Sequence, residues 1–407
     1  MIPRAVIEKL PKTDLHVHLD GSIRLGTLIE LAQEAGVQLP AETPEGLRET
    51  VFRSSYESLV EYLRGFAYTV AVLQRADALE RAAYEFARDN QAEGVRYVEV
   101  RFAPQLHVNA ELTIEDVLHA VDRGMRRAKD EYNRRAAIAD RSEPPFEYSI
   151  IVCALRYFGA ATGAYYGDLL RAHRFSPPKR VYALASTELA EAAVFVRDEY
   201  GIPITGFDLA GAEAGYPAED HVEAFQFAHE NFLMKTVHAG EAYGPESIFQ
   251  AITQLHADRI GHGTLLLDTS KIENPAITDR GAYVAELTQY IADRRITIEV
   301  CLTSNLQTIP EMGALANHPF GRMREHMLSA TLCTDNRTVS NTTVTDEIER
   351  ATAAFGLSPV DVKRSVVYGF KRSFYPGTYL EKRRYVRQVM DYYASLEEQH
   401  AELRAAA

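Results

Sequence analysis

The run Thr13-Asp14-Leu15-His16-Val17-His18-Leu19-Asp20-Gly21 decides how this chain reads. A β-strand sends alternate side chains to the same face. His16 and His18 therefore point the same way, with nitrogens placed to grip one metal ion. Leu15, Val17 and Leu19 point the other way, into apolar packing. A lone His-x-His pair serves equally well as two polar residues near a strand end. Here His238, Glu241, His262 and Asp335 also follow separate apolar runs further along the chain.

Short apolar runs alternate with longer amphipathic ones. Eight candidate strands span residues 13–19, 95–102, 148–155, 204–209, 234–239, 259–262, 297–303 and 329–334. The fourth and sixth are weak on pattern alone. Helical patterns lie between them, as in Ala78 to Ala92, Thr113 to Tyr132, Thr187 to Tyr200 and Glu219 to Asn231. Strands alternating with helices imply parallel pairing through right-handed crossovers. Eight such units predict an α/β fold, a (β/α)8 TIM barrel; an open doubly wound sheet is the alternative. Residues 1–407 read as one barrel domain with a helical insertion over about 21–92 and C-terminal helices over about 344–407. The polar stretch 267–280, with the turn signal Asn274-Pro275, makes the sixth connection long, as a surface excursion or a lid.

Composition narrows the partners. The formal net charge of -13 argues against nucleic acid or an anionic membrane, but not against a small uncharged nucleoside-like ligand. Cys153, Cys301 and Cys333 each lie in an apolar run and read as buried thiols rather than a disulfide framework. The first ten residues do not resemble a signal peptide, and no apolar stretch approaches the ~18 residues of a membrane span. A soluble, cytoplasmic protein is the expectation.

The polar candidates cluster at the C-terminal ends of the strands, where barrel enzymes place their active sites. His16 and His18 close the first strand, and Gly211 follows the fourth. His238 and Glu241 close the fifth, His262 the sixth, and Asp335 and Asn336 the eighth. Three imidazoles and one carboxylate suit Zn²⁺, although Fe²⁺ or another divalent ion would accept the same ligands. His16, His18, His238 and Asp335 supply that set. Such an ion lowers the pKa of a bound water from ~16 towards ~7. A cytidine-type zinc deaminase would need Cys-x-x-Cys, and a zinc peptidase His-Glu-x-x-His; the chain has neither.

Taken together, His16-Val17-His18-Leu19-Asp20-Gly21, Asp208-Leu209-Ala210-Gly211, His238-Ala239-Gly240-Glu241, Arg259-Ile260-Gly261-His262-Gly263 and Thr334-Asp335 resemble the adenosine deaminases of the amidohydrolase superfamily. The motifs come in the family's order and cover most of the chain. The resemblance implies zinc-dependent hydrolytic deamination of adenosine or 2'-deoxyadenosine to inosine or deoxyinosine, with His16, His18, His238 and Asp335 as ligands. It implies that Glu241 donates a proton to N1 of the purine. His262 then orients and helps to deprotonate the attacking water, and Asp335 also accepts a proton from it. Asp20 would meet the ribose hydroxyls, and the Gly211 N–H would meet N3. The chemistry is coherent in itself: C6 of adenine is a poor electrophile until N1 is protonated, so an acid is needed beside the ring.

Asn336 departs from the family, which usually has a second Asp there, contacting N7. An amide can donate to N7 at any pH, whereas a carboxyl must hold a proton to do so. Other 6-aminopurines therefore stay open as substrates: adenine, an aminodeoxyfutalosine-like nucleoside, or an N6-substituted nucleoside or nucleotide. A non-catalytic nucleoside-binding barrel is the reading from a different class. His107 reads as structural or solvent-facing, and Ser304 and Asn305 as the end of the seventh strand, capping the turn or bracing the site. Tyr62 and Phe66 read as part of an amphipathic stripe, and His318 and His326 as surface residues or as supports behind the site.

Overall fold

The computed structural model describes residues 2–404. Its centre is an eight-stranded parallel sheet in the order of the chain, β1 to β8. The strands are β1 Lys12–His18, β2 Val95–Phe102, β3 Glu147–Leu155, β4 Ile204–Ala210, β5 Met234–Ala239, β6 Arg259–His262, β7 Thr297–Val300 and β8 Ala330–Leu332. The ring closes just beyond β8. There His18 N–H donates to the Asp335 carbonyl at 2.7 Å, and Asp335 N–H donates to the His16 carbonyl at 2.8 Å. The chain is thus an α/β barrel with flanking helices. The weak fourth and sixth strands both stand.

The seventh strand is shorter than the expected 297–303. It stops at Val300, and residues Leu302–Thr308 form a helix instead. Ser304 and Asn305 therefore sit on a helix and do not end a strand. The eighth strand likewise covers only part of 329–334. Residues 21–92 hold the helices Leu25–Ala35, Pro44–Thr50, Leu59–Leu63, Phe66–Val72 and Ala76–Ala92. After β8 come Val344–Phe355, Pro359–Arg372 and Tyr379–Gln399, and the second of these packs on β1 and β8. In the sixth connection, the Glu246 carboxylate accepts from the Glu273 and Asn274 amides at 2.7 and 3.1 Å, tying that excursion to the helix Pro245–Thr253.

Period-two alternation explains the barrel's interior. In β2, Val98, Val100 and Phe102 face the helices, while Tyr97, Glu99 and Arg101 face inward. The inward layer is charged rather than apolar. Arg101 donates to Asp208 and Glu299, both at 2.9 Å, and to the Leu15 carbonyl at 2.5 Å. Arg259 pairs with Glu99 and, at 2.5 Å, with Glu299. All five side chains are buried. Burying such charges costs several kcal/mol per ion unless each is paired, and here each is. Cys153, Cys301 and Cys333 are buried free thiols. Among the described residues, no helix is long and apolar enough to cross a membrane.

Candidate active site

The charged layer supports the histidines above it. Glu299 Oε2 lies 2.8 Å from His16 Nδ1, and Asp208 Oδ2 lies 3.1 Å from His238 Nδ1. Both carboxylates are held well below the usual range by Arg101 and the neighbouring histidines, which outweigh burial. An ionised carboxylate only accepts. Each Nδ1 therefore carries the proton, and each Nε2 turns a lone pair to the centre of the barrel mouth. This is the carboxylate–histidine arrangement that orients metal ligands.

Around that centre, ligand atoms of His16, His238, His262 and Asp335 all lie within 4.8 Å of one another. His18 joins them: its Nε2 is 3.2 Å from His238 Nε2 and 3.5 Å from Asp335 Oδ1. Asp335 Oδ1 is also 3.5 Å from His16 Nε2, which is buried with no hydrogen-bond partner. Lone pairs this close repel unless a proton or a cation lies between them. The donor set thus fits a divalent metal ion. Gly261 leaves room for it to form, since a Cβ there would sit 2.8 Å from the His16 ring.

Which nitrogen of His262 carries its proton follows from a chain anchored in the backbone. Phe320 N–H donates to His318 Nδ1 at 3.1 Å, so the His318 proton is on Nε2. His318 Nε2 then donates to Asn305 Oδ1 at 3.2 Å, which turns the Asn305 amide nitrogen to His262 Nδ1 at 3.0 Å. His262 Nδ1 accepts, and burial keeps the ring neutral. Its proton is therefore on Nε2, 3.6 Å from Glu241 Oε1. His262 is a donor towards the cluster, while His18 Nε2 faces His238 Nε2 and Asp335 Oδ1.

His262 and Asp335 both hold the left-handed backbone, with φ of 64° and 60°. Neither is glycine, so both are strained, by about 1–3 kcal/mol each. Ser304 Oγ donates to Asp335 Oδ2 at 2.5 Å and fixes that carboxylate. Burial raises the Asp335 pKa, but the adjoining His16, His262 and His18 imidazoles outweigh it and hold it well below the usual range. Glu241 goes the other way. Burial first, then the charges of Asp335 and Glu213, push its carboxyl well above the usual range. Two neighbouring carboxyl groups thus have separated duties, one ionised and one protonated.

Asp20 is buried with Oδ1 unpartnered, and burial pushes its pKa up to about 7. Asn336 Nδ2 lies 2.7 Å from the Tyr62 hydroxyl, itself 2.7 Å from Ser340 Oγ, and Asn336 Oδ1 has no partner. Tyr62 is thus more than an amphipathic stripe. His107 is structural, its Nδ1 bonded to the Leu73 carbonyl at 3.0 Å. His318 is a support behind the site. The sequence reading quoted Asp208 within a motif without giving it a role, and passed over Glu213, Glu299 and Arg101. For β2 the available signal was Glu99 and Arg101 two places apart on one face, and for β7 the single charged Glu299 in a short β-prone run.

The family model for adenosine deaminase matches residues 11–164 and 169–392. This chain belongs to the adenosine deaminase family. The adenosine deaminase of Mycolicibacterium vanbaalenii is 38% identical over 371 residues, 90% of this chain and 91% of the relative. Among solved structures, the adenine deaminase of Arthrobacter aurescens aligns with a TM-score of 0.72 at 22% identity, covering 94% of this chain and 99% of its own. An N6-mAMP deaminase from Arabidopsis also aligns at 0.72, with 24% identity and coverage of 95% and 98%. Membership of the adenosine deaminase family makes the protein a hydrolytic deaminase of adenosine-like purines, with a metal-binding cluster at its barrel mouth.

Proposed function

We propose that the enzyme deaminates adenosine and 2'-deoxyadenosine to inosine and deoxyinosine, releasing ammonia, as a cytoplasmic step of purine salvage. The observation that supports this most is the placement of the buried Glu241 carboxyl, its Oε1 3.6 Å from His262 Nε2 beside the histidine–Asp335 cluster, where burial raises its pKa. His16, His18, His238 and Asp335 would hold Zn²⁺, whose nitrogen and oxygen preferences match that set. When bound, the ion supplies a water acidified to near neutral pH.

This chain's residues do the rest. Asp335 is ionised and accepts the proton of the attacking water. His262 donates from Nε2, so it orients the incoming oxygen rather than taking its proton. Glu241 gives its proton to N1, which makes C6 electrophilic. Water adds at C6, Asp335 passes the proton it took to the exocyclic nitrogen, the new C6 hydroxyl gives its proton back to Glu241, and ammonia leaves a 6-oxo purine. The unpartnered Asp20 oxygen suits a ribose hydroxyl donor, and the Gly211 N–H is assigned to N3. Turning the Asn336 amide over would let Tyr62 donate to Oδ1 and release the NH₂ for N7.

A nucleoside is favoured over a nucleotide because Arg24, the cation nearest Asp20 in sequence, is engaged by Asp89 at 2.6 Å. The relative from Mycolicibacterium vanbaalenii, named an adenosine deaminase, points the same way. The test is a panel of adenosine, 2'-deoxyadenosine, adenine, AMP and N6-methyl-AMP, followed by ultraviolet absorbance and ammonia release with zinc present. The nucleosides should react with the highest kcat/KM. A preference for adenine or for either nucleotide would replace this reading, and no turnover of any of them would favour a binding protein.

A further inference from the structure

Glu213 has no part in the chemistry described above, yet it is among the most heavily engaged side chains near the site. It lies two residues beyond Gly211 on the loop that leaves β4, and it is 2% exposed. Its Oε1 accepts from Gly240 N–H at 2.8 Å and from Ser247 Oγ at 2.5 Å. Its Oε2 accepts from the amides of Glu241, Ala242 and Tyr243 at 3.0, 2.6 and 3.0 Å. One carboxylate thus takes four consecutive backbone N–H groups and a hydroxyl. Those amides form the turn between β5 and the helix Pro245–Thr253, with Gly240 at φ 70° making the reversal. Nothing within the turn itself accepts from these amides; the acceptor comes from another loop.

The same two loops are tied a second time. Arg156 donates to the Tyr216 carbonyl and to the His238 carbonyl, both at 2.7 Å. The β4 loop and the end of β5 are therefore tied at two points, and the turn holding the Glu241 backbone is set by a partner from outside it. A carboxylate among convergent N–H groups makes charge-assisted bonds, roughly twice as strong as neutral ones.

We infer that Glu213 is a positioning residue: its carboxylate locks residues 240–243 onto the β4 loop, and so sets Glu241 against N1 while the Gly211 N–H on the same loop meets N3. The inference rests on Glu241 being the N1 acid. Glu213 itself stands behind the turn and touches no reacting atom. Its function is geometric, because a carboxyl group displaced by an ångström no longer reaches the nitrogen it must protonate.

The experiment compares Glu213→Gln, Glu213→Asp, Ser247→Ala and Glu241→Gln in the zinc-loaded full chain. It measures kcat, KM for adenosine, zinc per chain, melting temperature, and hydrogen exchange at residues 240–243. Glutamine presents an NH₂ to amides that need an acceptor. Glu213→Gln should therefore lose about 100-fold in kcat, with KM and zinc content near wild type. Exchange should accelerate at 240–243 while the barrel strands stay protected. Glu213→Asp keeps the charge and should recover part of the rate, and Ser247→Ala should lose less than Glu213→Gln. A Glu213→Gln enzyme with wild-type kcat overturns the inference. So does one whose kcat, zinc and melting temperature fall together, since that is loss of the fold. Glu241→Gln separates the two levels. If it keeps its rate, the acid assignment fails. If it is inactive beside a fully active Glu213→Gln, the clamp alone fails.

Discussion

At the scale of single residues, the site is legible through groups whose hydrogen bonds are unfinished. Asp20 Oδ1 is buried without a partner, and Asn336 Oδ1 gains one only when its amide turns over towards Tyr62. An unpaired buried polar group costs about 1–3 kcal/mol, so it persists where a ligand completes it. Asp20 meets ribose in the proposed reading, which gives a comparison free of folding effects. Asp20→Ala should lower kcat/KM for adenosine by about 10- to 100-fold, matching one lost hydrogen bond of that size. It should leave any activity on free adenine nearly unchanged, because adenine has no ribose. An equal loss on both substrates would remove Asp20 from ribose recognition. Asn336→Ala should raise KM for adenosine by about tenfold while zinc per chain, read by elemental analysis, stays constant. Loss of zinc would mean that Asn336 serves the metal centre and not the base.

At the scale of elements, the strands were readable where they carry two-residue alternation, and the helices where apolar faces recur. β7 is the exception. The run from Thr297 through Cys301 to Thr303 is apolar or β-branched apart from Glu299, so composition extends it, whereas the chain leaves the sheet after Val300 and coils into Leu302–Thr308. That turn into a helix is what aims Ser304 at Asp335 and Asn305 at His262. The candidate ligands were visible because histidine and aspartate at strand ends are distinctive residues in distinctive places. Glu213 was not, and Asn305 and His318 were read only as a turn cap or brace and as a surface or supporting residue, because their roles depend on partners that no local pattern encodes. Asn305 tests this directly. Asn305→Ala leaves His262 Nδ1 and His318 Nε2 unpartnered and frees the His262 tautomer. A loss of about 10- to 100-fold in kcat is expected, the range typical of residues that orient a metal site's groups. KM and zinc content should hold; long-range ¹H–¹⁵N spectra of labelled histidines should report a change in the His262 ring nitrogens.

At the scale of the whole molecule, the barrel is organised around buried charge, and this makes its stability depend on pH through groups far from the chemistry. Arg101 holds Asp208 and Glu299, which in turn hold His238 and His16. Arg101→Met would leave buried Asp208 without its guanidinium partner and Glu299 with Arg259 alone, a cost of about 3–5 kcal/mol, read as a fall in urea midpoint together with weaker zinc retention. Buried histidines act in the other direction. His107 is fully buried, and burial pushes its pKa down to about 4, against an ordinary 6.5. Between those values the unfolded chain binds a proton that the folded chain refuses. The unfolded state is therefore favoured progressively as pH falls from 6.5 towards 4, by roughly 3 kcal/mol across the whole interval. Glu347 and Asp14, raised by burial to about 7, have the opposite slope over part of this range. The net profile of the wild type thus mixes both signs, and a difference between two proteins isolates one of them. His107→Gln can still donate to the Leu73 carbonyl but does not titrate, and it shares every other group. The stability advantage of wild type over His107→Gln, from urea unfolding, should shrink by roughly 2 kcal/mol between pH 7 and pH 5. An advantage that stays constant over that interval would mean that folding does not shift the His107 pKa.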